Sequence, residues 1–231
     1  MTSLLLPIHA PHLSPVGSGW VQPRQPHPQT ADWGETCADA LRALANWSGA
    51  VAGLLLILVG GLIQAAVTFP GTDGQWAVIP LPITLQVPAL LLTALVCGPR
   101  SAILAAVGYL SLGLFQLPVF HGGGGAAYLL DPGFGYLAGF IPAGWVTGKL
   151  ARQRGMNSLL NLLLASLLGL AVVQICGVLN LLIGAVAGRW GPALLSLLIS
   201  YSVIPLLSQL LLCCAVALVA LGLRRLLLVP S

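Results

Sequence analysis

The chain has 231 residues, of which 58% are hydrophobic and only 6% are charged. Soluble domains carry about a quarter charged residues, so this composition excludes a soluble globular protein and predicts an integral membrane protein. The formal net charge of +4 comes from basic residues at the ends of apolar runs. They form no basic stripe interleaved with aromatic residues, so we expect no nucleic-acid partner.

The first 42 residues differ from the rest of the chain. They contain three of the four histidines and no apolar run long enough to pack. We interpret residues 1–42 as a disordered N-terminal leader; a metal site formed by His9, His12 and His27 is the alternative to a solvated, proline-rich segment. Residues 43–227 are predicted to form one transmembrane domain.

Six uncharged runs follow the leader, and each is long enough, or nearly so, for a helix of about 20 residues that crosses a bilayer. The runs are 43–72, 74–99, 101–130, 132–148, 155–188 and 190–223. They do not alternate as the strands of a membrane barrel would. The sequence therefore predicts an all-α integral membrane protein with six transmembrane helices.

Basic residues concentrate on one side of this predicted topology. If the N-terminus is cytoplasmic, the cytoplasmic side receives Arg42, Arg100, Lys149, Arg152, Arg154, Arg224 and Arg225. The opposite side receives only Arg189, together with Asp73 and Asp131. By the positive-inside rule, both termini are cytoplasmic and the protein is a multi-pass component of the cell membrane, surrounded by lipid.

The first predicted helix, about 46–66, carries small residues four positions apart, including Gly49 and Gly53. Such a groove lets another helix approach closely. The approaching helix belongs either to a second subunit or to this same chain.

The second predicted span contains three prolines, Pro80, Pro82 and Pro88, which cannot all belong to a regular helix. We expect an extended or broken outer half and a short helix over about 88–96. Irregular backbone at membrane depth occurs where it is buried in protein or lines a cavity. Thr84 and Gln86 lie in this stretch, so they either face a pocket or are satisfied by local backbone.

The remaining helices are expected over about 100–117, 135–150, 158–187 and 192–223. An unpaired carboxamide is costly in hydrocarbon, so Gln174, Asn180 and Gln209 either converge on one site or join neighbouring helices. The glycines at 122–125 let the backbone approach a ligand; the alternative is a flexible turn. No phosphate loop, zinc-ligand spacing or catalytic triad occurs in the spans, so we expect no enzyme activity, no cofactor and no metal.

Three segments together resemble one family. LPITLQVPALLLTALVCGPRSA, LGLFQLPVFHGGGG and DPGFGYLAGFIPAG are similar to the BioY family, the biotin-specific membrane components of energy-coupling factor (ECF) transporters. The resemblance implies a subunit that captures biotin near the outer face and works with a transmembrane coupling subunit and two ATPases. S components for other vitamins, or a membrane scaffold or assembly subunit, are the alternatives.

The resemblance and the polar residues together define the expected sites. The expected substrate-binding residues are Thr84, Gln86, His121, Gly122, Gly123, Gly124, Gly125, Tyr136, Asn180 and Gln209, and Gly49 and Gly53 are the expected docking residues for the coupling subunit. We expect the glycine amides to bind the biotin carboxylate, and Gln86, Asn180 and Gln209 to bind the ureido ring. The family's Pro-Gly-Asp-x-x-Lys pattern is absent at Pro205, where Gln209 is a neutral substitute.

Overall fold

A computed structural model describes residues 28–70, 76–115, 119–120 and 124–227, and for residues 28–35 and 66–82 it describes the backbone alone. The chain divides into two compact units, Met1–Asp39 and Ala40–Ser231. The first helix, α1, spans Pro28–Leu62 and therefore begins inside the predicted leader. The histidines of that leader lie outside the described residues, and the boundary at residue 42 stays a prediction.

The described residues are mostly helical, as the sequence predicts. The helices after α1 are α2 (Gln86–Cys97), α3 (Pro99–Leu114), α4 (Phe134–Ala138), α5 (Phe140–Ala151), α6 (Leu159–Val186), α7 (Leu194–Leu198) and α8 (Ile204–Leu226). Within the described ranges, three helical segments are long and apolar enough to cross a membrane: Thr36–Leu62, Leu159–Val186 and Gly191–Leu226.

A β-hairpin precedes α2, and it corrects the prediction of helices alone. Strand β1 (Gln64–Pro70) pairs antiparallel with β2 (Trp76–Thr84), with Phe69 opposite Ala77. The first helix accordingly ends at Leu62 rather than near residue 66. The extended backbone before Gln86 was predicted from its prolines and is confirmed; proline is tolerated here because each strand of a two-stranded sheet is an edge strand.

Three further irregular segments lie between the described helices, of which the short 3₁₀ turn Gly191–Ala193 precedes α7. A 3₁₀ turn, Ala126–Leu130, lies between α3 and α4. A π-helical segment, Ile199–Val203, joins α7 to α8. A π-helix has an extra residue per turn and is often found at functional sites.

The core lies between α2, α3, α5 and α6. Tyr109 of α3 and Phe140 of α5 are its largest buried aromatic side chains, and their rings stack with centroids 6.2 Å apart. Gly98, with φ of +89°, separates α2 from α3, and Pro99 begins α3, where its missing N–H costs nothing.

Two arginines cap helix ends at the α2–α3 junction. The Arg152 Nη2 atom donates to the Cys97 carbonyl at 2.9 Å. Arg224, only 3% exposed, donates from Nη1 to the carbonyls of Leu95 at 2.8 Å and Ala151 at 3.0 Å. Arg224 therefore ties α8 to the C-terminal ends of α2 and α5, whose last carbonyls lack helical partners.

Candidate ligand cavity

A cavity of about 590 Å³ lies where the hairpin meets the helices, and its volume is in the range of small-molecule sites. Its lining combines apolar side chains with carboxamides and hydroxyls. The lining residues are Gly61, Leu62, Gln64, Ile83, Thr84, Gln86, Val87, Tyr136, Leu137, Phe140, Val173, Ser200, Tyr201, Pro205 and Gln209. Among these described residues no side chain is basic or acidic, so the cavity offers neutral hydrogen-bonding groups.

Gln86 is placed by the break between β2 and α2. It is the first residue of α2 and is 7% exposed, and Gly61 leaves room for its Nε2 atom, which a Cβ there would contact. Gln86 Nε2 donates to the Tyr109 hydroxyl at 2.8 Å, and that hydroxyl donates to the Val119 carbonyl at 3.1 Å. The side chain of Gln86 is thus held by a two-step hydrogen-bond chain from α2 to the segment after α3.

Gln209 of α8 is held from a different helix. Gln174 of α6 donates from Nε2 to Gln209 Oε1 at 2.7 Å. Gln174 does not line the cavity, and its own Oε1 is buried without a hydrogen-bond partner among the described residues. The carboxamide of Gln209, which lines the cavity, is therefore held by the carboxamide of Gln174, which does not.

The π-helical segment brings hydroxyl groups to the other part of the cavity. Ser200 and Tyr201 line the cavity, while Ser202 lies within 2.6 Å of the Tyr136 hydroxyl. The Tyr136 and Tyr201 rings stack with centroids 6.0 Å apart. Tyr136 packs against Gly177 of α6, where a Cβ would overlap its ring.

Tyr128 of the 3₁₀ turn lies near this cluster. A Cβ on Gly133 would lie 3.5 Å from the Tyr128 hydroxyl and 3.3 Å from the Tyr201 ring. Burial raises the pKa of Tyr128 to about 12, and the nearby Asp131 and Tyr201 add to the shift. The hydroxyl consequently stays protonated at neutral pH.

Four of the residues expected to bind substrate share the cavity: Thr84, Gln86, Tyr136 and Gln209. Asn180 does not line it; its Nδ2 atom donates to the Pro132 carbonyl at 3.3 Å, and its Cβ packs where Gly135 leaves space. Asn180 therefore joins α6 to the turn before α4, and its expected contact with a ureido ring stays a prediction.

The glycine segment is only partly described, because His121, Gly122 and Gly123 lie outside the described residues. Gly124 and Gly125 do not line the cavity. The amide of Gly125, whose φ is +99°, donates to the Gly113 carbonyl at 2.8 Å. That amide is already used by the fold, and the expected role of the glycine amides in binding a carboxylate stays a prediction.

The structure places Gly49 and Gly53 in contacts within this chain, and their expected docking role stays a prediction. Both are buried: a Cβ on Gly49 would lie 2.9 Å from Ser101 Oγ, and one on Gly53 would contact the Thr93 side chain. The two glycines let α2 and α3 approach α1 within this chain.

Sequence reasoning did not identify Ser200 or Tyr201 as parts of this site, and for Gln174 it left open a converging site or a contact between helices. One signal was available, since Tyr201, Pro205 and Gln209 are four residues apart and share a helix face. Ser200 lies beside them in a π-helical segment, and no residue type in the sequence predicts such a segment.

The described fold is that of a helical membrane protein with a cavity of a size that fits a small ligand. The family model of the BioY family matches residues 38–228, so the chain belongs to the BioY family. This confirms the resemblance of its three segments.

Known proteins resemble the chain in sequence and in fold. It is 35% identical over 103 residues to a probable biotin transporter BioY of Lysinibacillus sphaericus and 40% identical over 109 residues to the biotin transporter BioY of Thermotoga maritima. These matches cover 43% and 46% of this chain, and 53% and 63% of the relatives. The chain thus spans less than two thirds of the length of either relative.

A solved structure shares the fold. It is the S component for biotin from an ECF-type ABC transporter, with a TM-score of 0.61 at 20% sequence identity. The likeness covers 79% of this chain and 92% of the solved chain.

Proposed function

We propose that this chain is the substrate-binding membrane subunit of an ECF-type transporter and that it takes up biotin across the cell membrane. The relatives are named as biotin transporters, and the solved structure with the same fold is a biotin S component. One observation of the site carries the proposal: three carboxamides and four hydroxyls line the same cavity.

Biotin presents two polar ends to such a cavity. Its ureido ring carries N–H donors and a carbonyl acceptor, and its valeryl chain ends in a carboxylate, which needs donors. Gln86 and Gln209 supply the carboxamide end of the cavity, and Phe140 and Val173 supply apolar surface for the ring system. We assign the ureido ring to this end.

The hydroxyls of Ser200 and Tyr201 are suited to the carboxylate. Tyr201 and Gln209 are eight residues apart on one helical run, which corresponds to about 12 Å along the axis. Hydroxyl donors at that distance can reach the end of an extended valeryl chain while the ring stays near Gln209. They take the place of the charged residues missing from the last-helix pattern.

The proposed topology has six membrane passages and cytoplasmic termini. The passages are α1, the hairpin with α2, α3, α4 with α5, α6, and the run from residue 191 to α8. Seven basic residues lie at one side of this arrangement, which the positive-inside rule assigns to the cytoplasm. An ECF transmembrane coupling subunit and its ATPases are the proposed partners.

Biotin binding to the purified chain tests this function. A ligand that binds only the folded state stabilises it, so biotin should raise the melting temperature of the detergent-solubilised chain and bind saturably by calorimetry. A panel of other vitamins serves as the control. Stabilisation by another vitamin alone would identify a different S component, and the absence of any stabilisation would favour a scaffold.

A further inference from the structure

Three carboxamides line the cavity, those of Gln64, Gln86 and Gln209, and the last two are each held by a residue that does not line it. Tyr109 holds Gln86 and Gln174 holds Gln209. A carboxamide has a donor end and an acceptor end, so the supporting residue decides which end a ligand meets. We propose that Gln174 is a positioning residue that turns the donor end of Gln209 toward the ligand, while Tyr109 turns the acceptor end of Gln86 toward it; this rests on the proposed function.

The orientation of Gln86 follows from the chemistry of one hydroxyl. Tyr109 has a single O–H, and it donates that hydrogen to the Val119 carbonyl at 3.1 Å. The hydroxyl must therefore accept from Gln86 at 2.8 Å, which identifies the Gln86 atom at that position as the amide nitrogen. Gln86 Oε1 accepts no hydrogen bond from the described residues and is the atom available to a ligand.

The orientation of Gln209 follows from what each arrangement leaves buried. With Gln174 donating at 2.7 Å, one oxygen of Gln174 is buried without a partner within the described part of the chain. The reverse arrangement would bury its amide group, with two N–H donors, in that place. Because each unmade hydrogen bond of a buried group costs free energy, the observed arrangement is favoured and leaves Gln209 Nε2 for the ligand.

The cavity consequently offers an acceptor from α2 and a donor from α8. A cyclic urea matches this polarity, since its N–H groups can donate to Gln86 and its carbonyl can accept from Gln209. A cyclic guanidine keeps the ring N–H groups but has N–H donors in place of the carbonyl. The N–H groups of the guanidine would face the N–H groups of Gln209 with no acceptor between them. The site therefore favours ureas over guanidines.

Paired ligands test this selection. Biotin and desthiobiotin both carry the urea, and 2-iminobiotin carries the guanidine. In Gln174→Glu, the new carboxylate only accepts hydrogen bonds, so Gln209 must donate to it and turn Oε1 toward the ligand. We expect biotin to bind roughly 5- to 150-fold more weakly, and the affinity ratio of 2-iminobiotin to biotin to rise.

Matched variants separate positioning from structural damage. Gln174→Leu removes the partner without imposing an orientation, so the ratio should rise less than in Gln174→Glu. Asn161→Asp adds a carboxylate to α6 at a half-buried position, where the amide nitrogen of Asn161 donates to the Gly155 carbonyl, and the ratio should match that of the wild type. The ratio of desthiobiotin to biotin should stay constant throughout.

The outcomes decide the inference. An unchanged ratio in a Gln174→Glu chain that still binds biotin would overturn it; if that variant does not fold, an unchanged ratio in Gln174→Leu would do the same. A wild-type chain that binds no biotin would instead refute the proposed function, and this inference with it.

Discussion

Replacing Gln86 by leucine separates ligand binding from folding. The substitution removes the carboxamide from the cavity but leaves the Tyr109 hydroxyl its hydrogen bond to the Val119 carbonyl. The substitution leaves no buried N–H or O–H group without an acceptor, and the side chains of glutamine and leucine are similar in size. Loss of one hydrogen bond between ligand and buried side chain costs about 1–3 kcal/mol, so we expect the biotin dissociation constant to rise roughly 5- to 150-fold.

Titration calorimetry measures this change, and thermal unfolding without ligand provides the folding control. Thr93→Val is the matched variant on the same helix, because Thr93 is 3% exposed and its hydroxyl donates only to the Ala89 carbonyl at 2.8 Å. It should keep wild-type affinity. Full affinity in Gln86→Leu, with ligand-free stability unchanged, would show that Gln86 does not contact the ligand.

Three further predictions concern topology, packing and the carboxylate. Cysteine introduced at Gly123 should react with impermeant reagents from outside intact cells and cysteine at Arg154 should not; labelling at Arg154 would reverse the topology. Gly53→Leu should abolish folding rather than subunit docking alone, because its side chain would overlap Thr93; a folded, biotin-binding variant that loses only its partners would support the docking assignment. Biotin methyl ester should bind more weakly than biotin by roughly 5- to 150-fold if hydroxyls hold the carboxylate, and equal affinities in calorimetry would contradict that assignment.

The proline-broken span shows what local chemistry predicts well. Pro80 and Pro82 exclude a regular helix, and irregular backbone at membrane depth points to a cavity. Gln86 follows directly from these constraints. The hairpin could not be predicted from these constraints. Pairing residues 64–70 with 76–84 depends on a register between two segments, and neither segment specifies that register alone.

The carboxamides show the limit of residue-type reasoning. A buried carboxamide needs a partner, but that rule does not say on which helix face it lies. Asn180 and Gln174 are both on α6 and are six residues apart, so they lie on different faces at 100° per residue. Gln174 faces α8, and Asn180 faces the turn before α4.

The small-residue spacing on α1 shows a similar limit. Gly49 and Gly53 predict a close helix approach, and a close approach is observed. The spacing carries no information about the identity of the approaching helix. Helices of the same chain are already tethered nearby, so the close packing is satisfied internally.

The contacts of Arg224 distribute rigidity unequally along the bundle. One guanidinium joins the carbonyls of Leu95 and Ala151 to α8, so three helices are fastened together at a single end and cannot fray there independently. The opposite end consists of a two-stranded hairpin, a five-residue helix and a π-helical segment, which have fewer backbone bonds to break. We therefore expect any widening that admits a molecule to the cavity to occur at the hairpin end rather than at the end that Arg224 fastens.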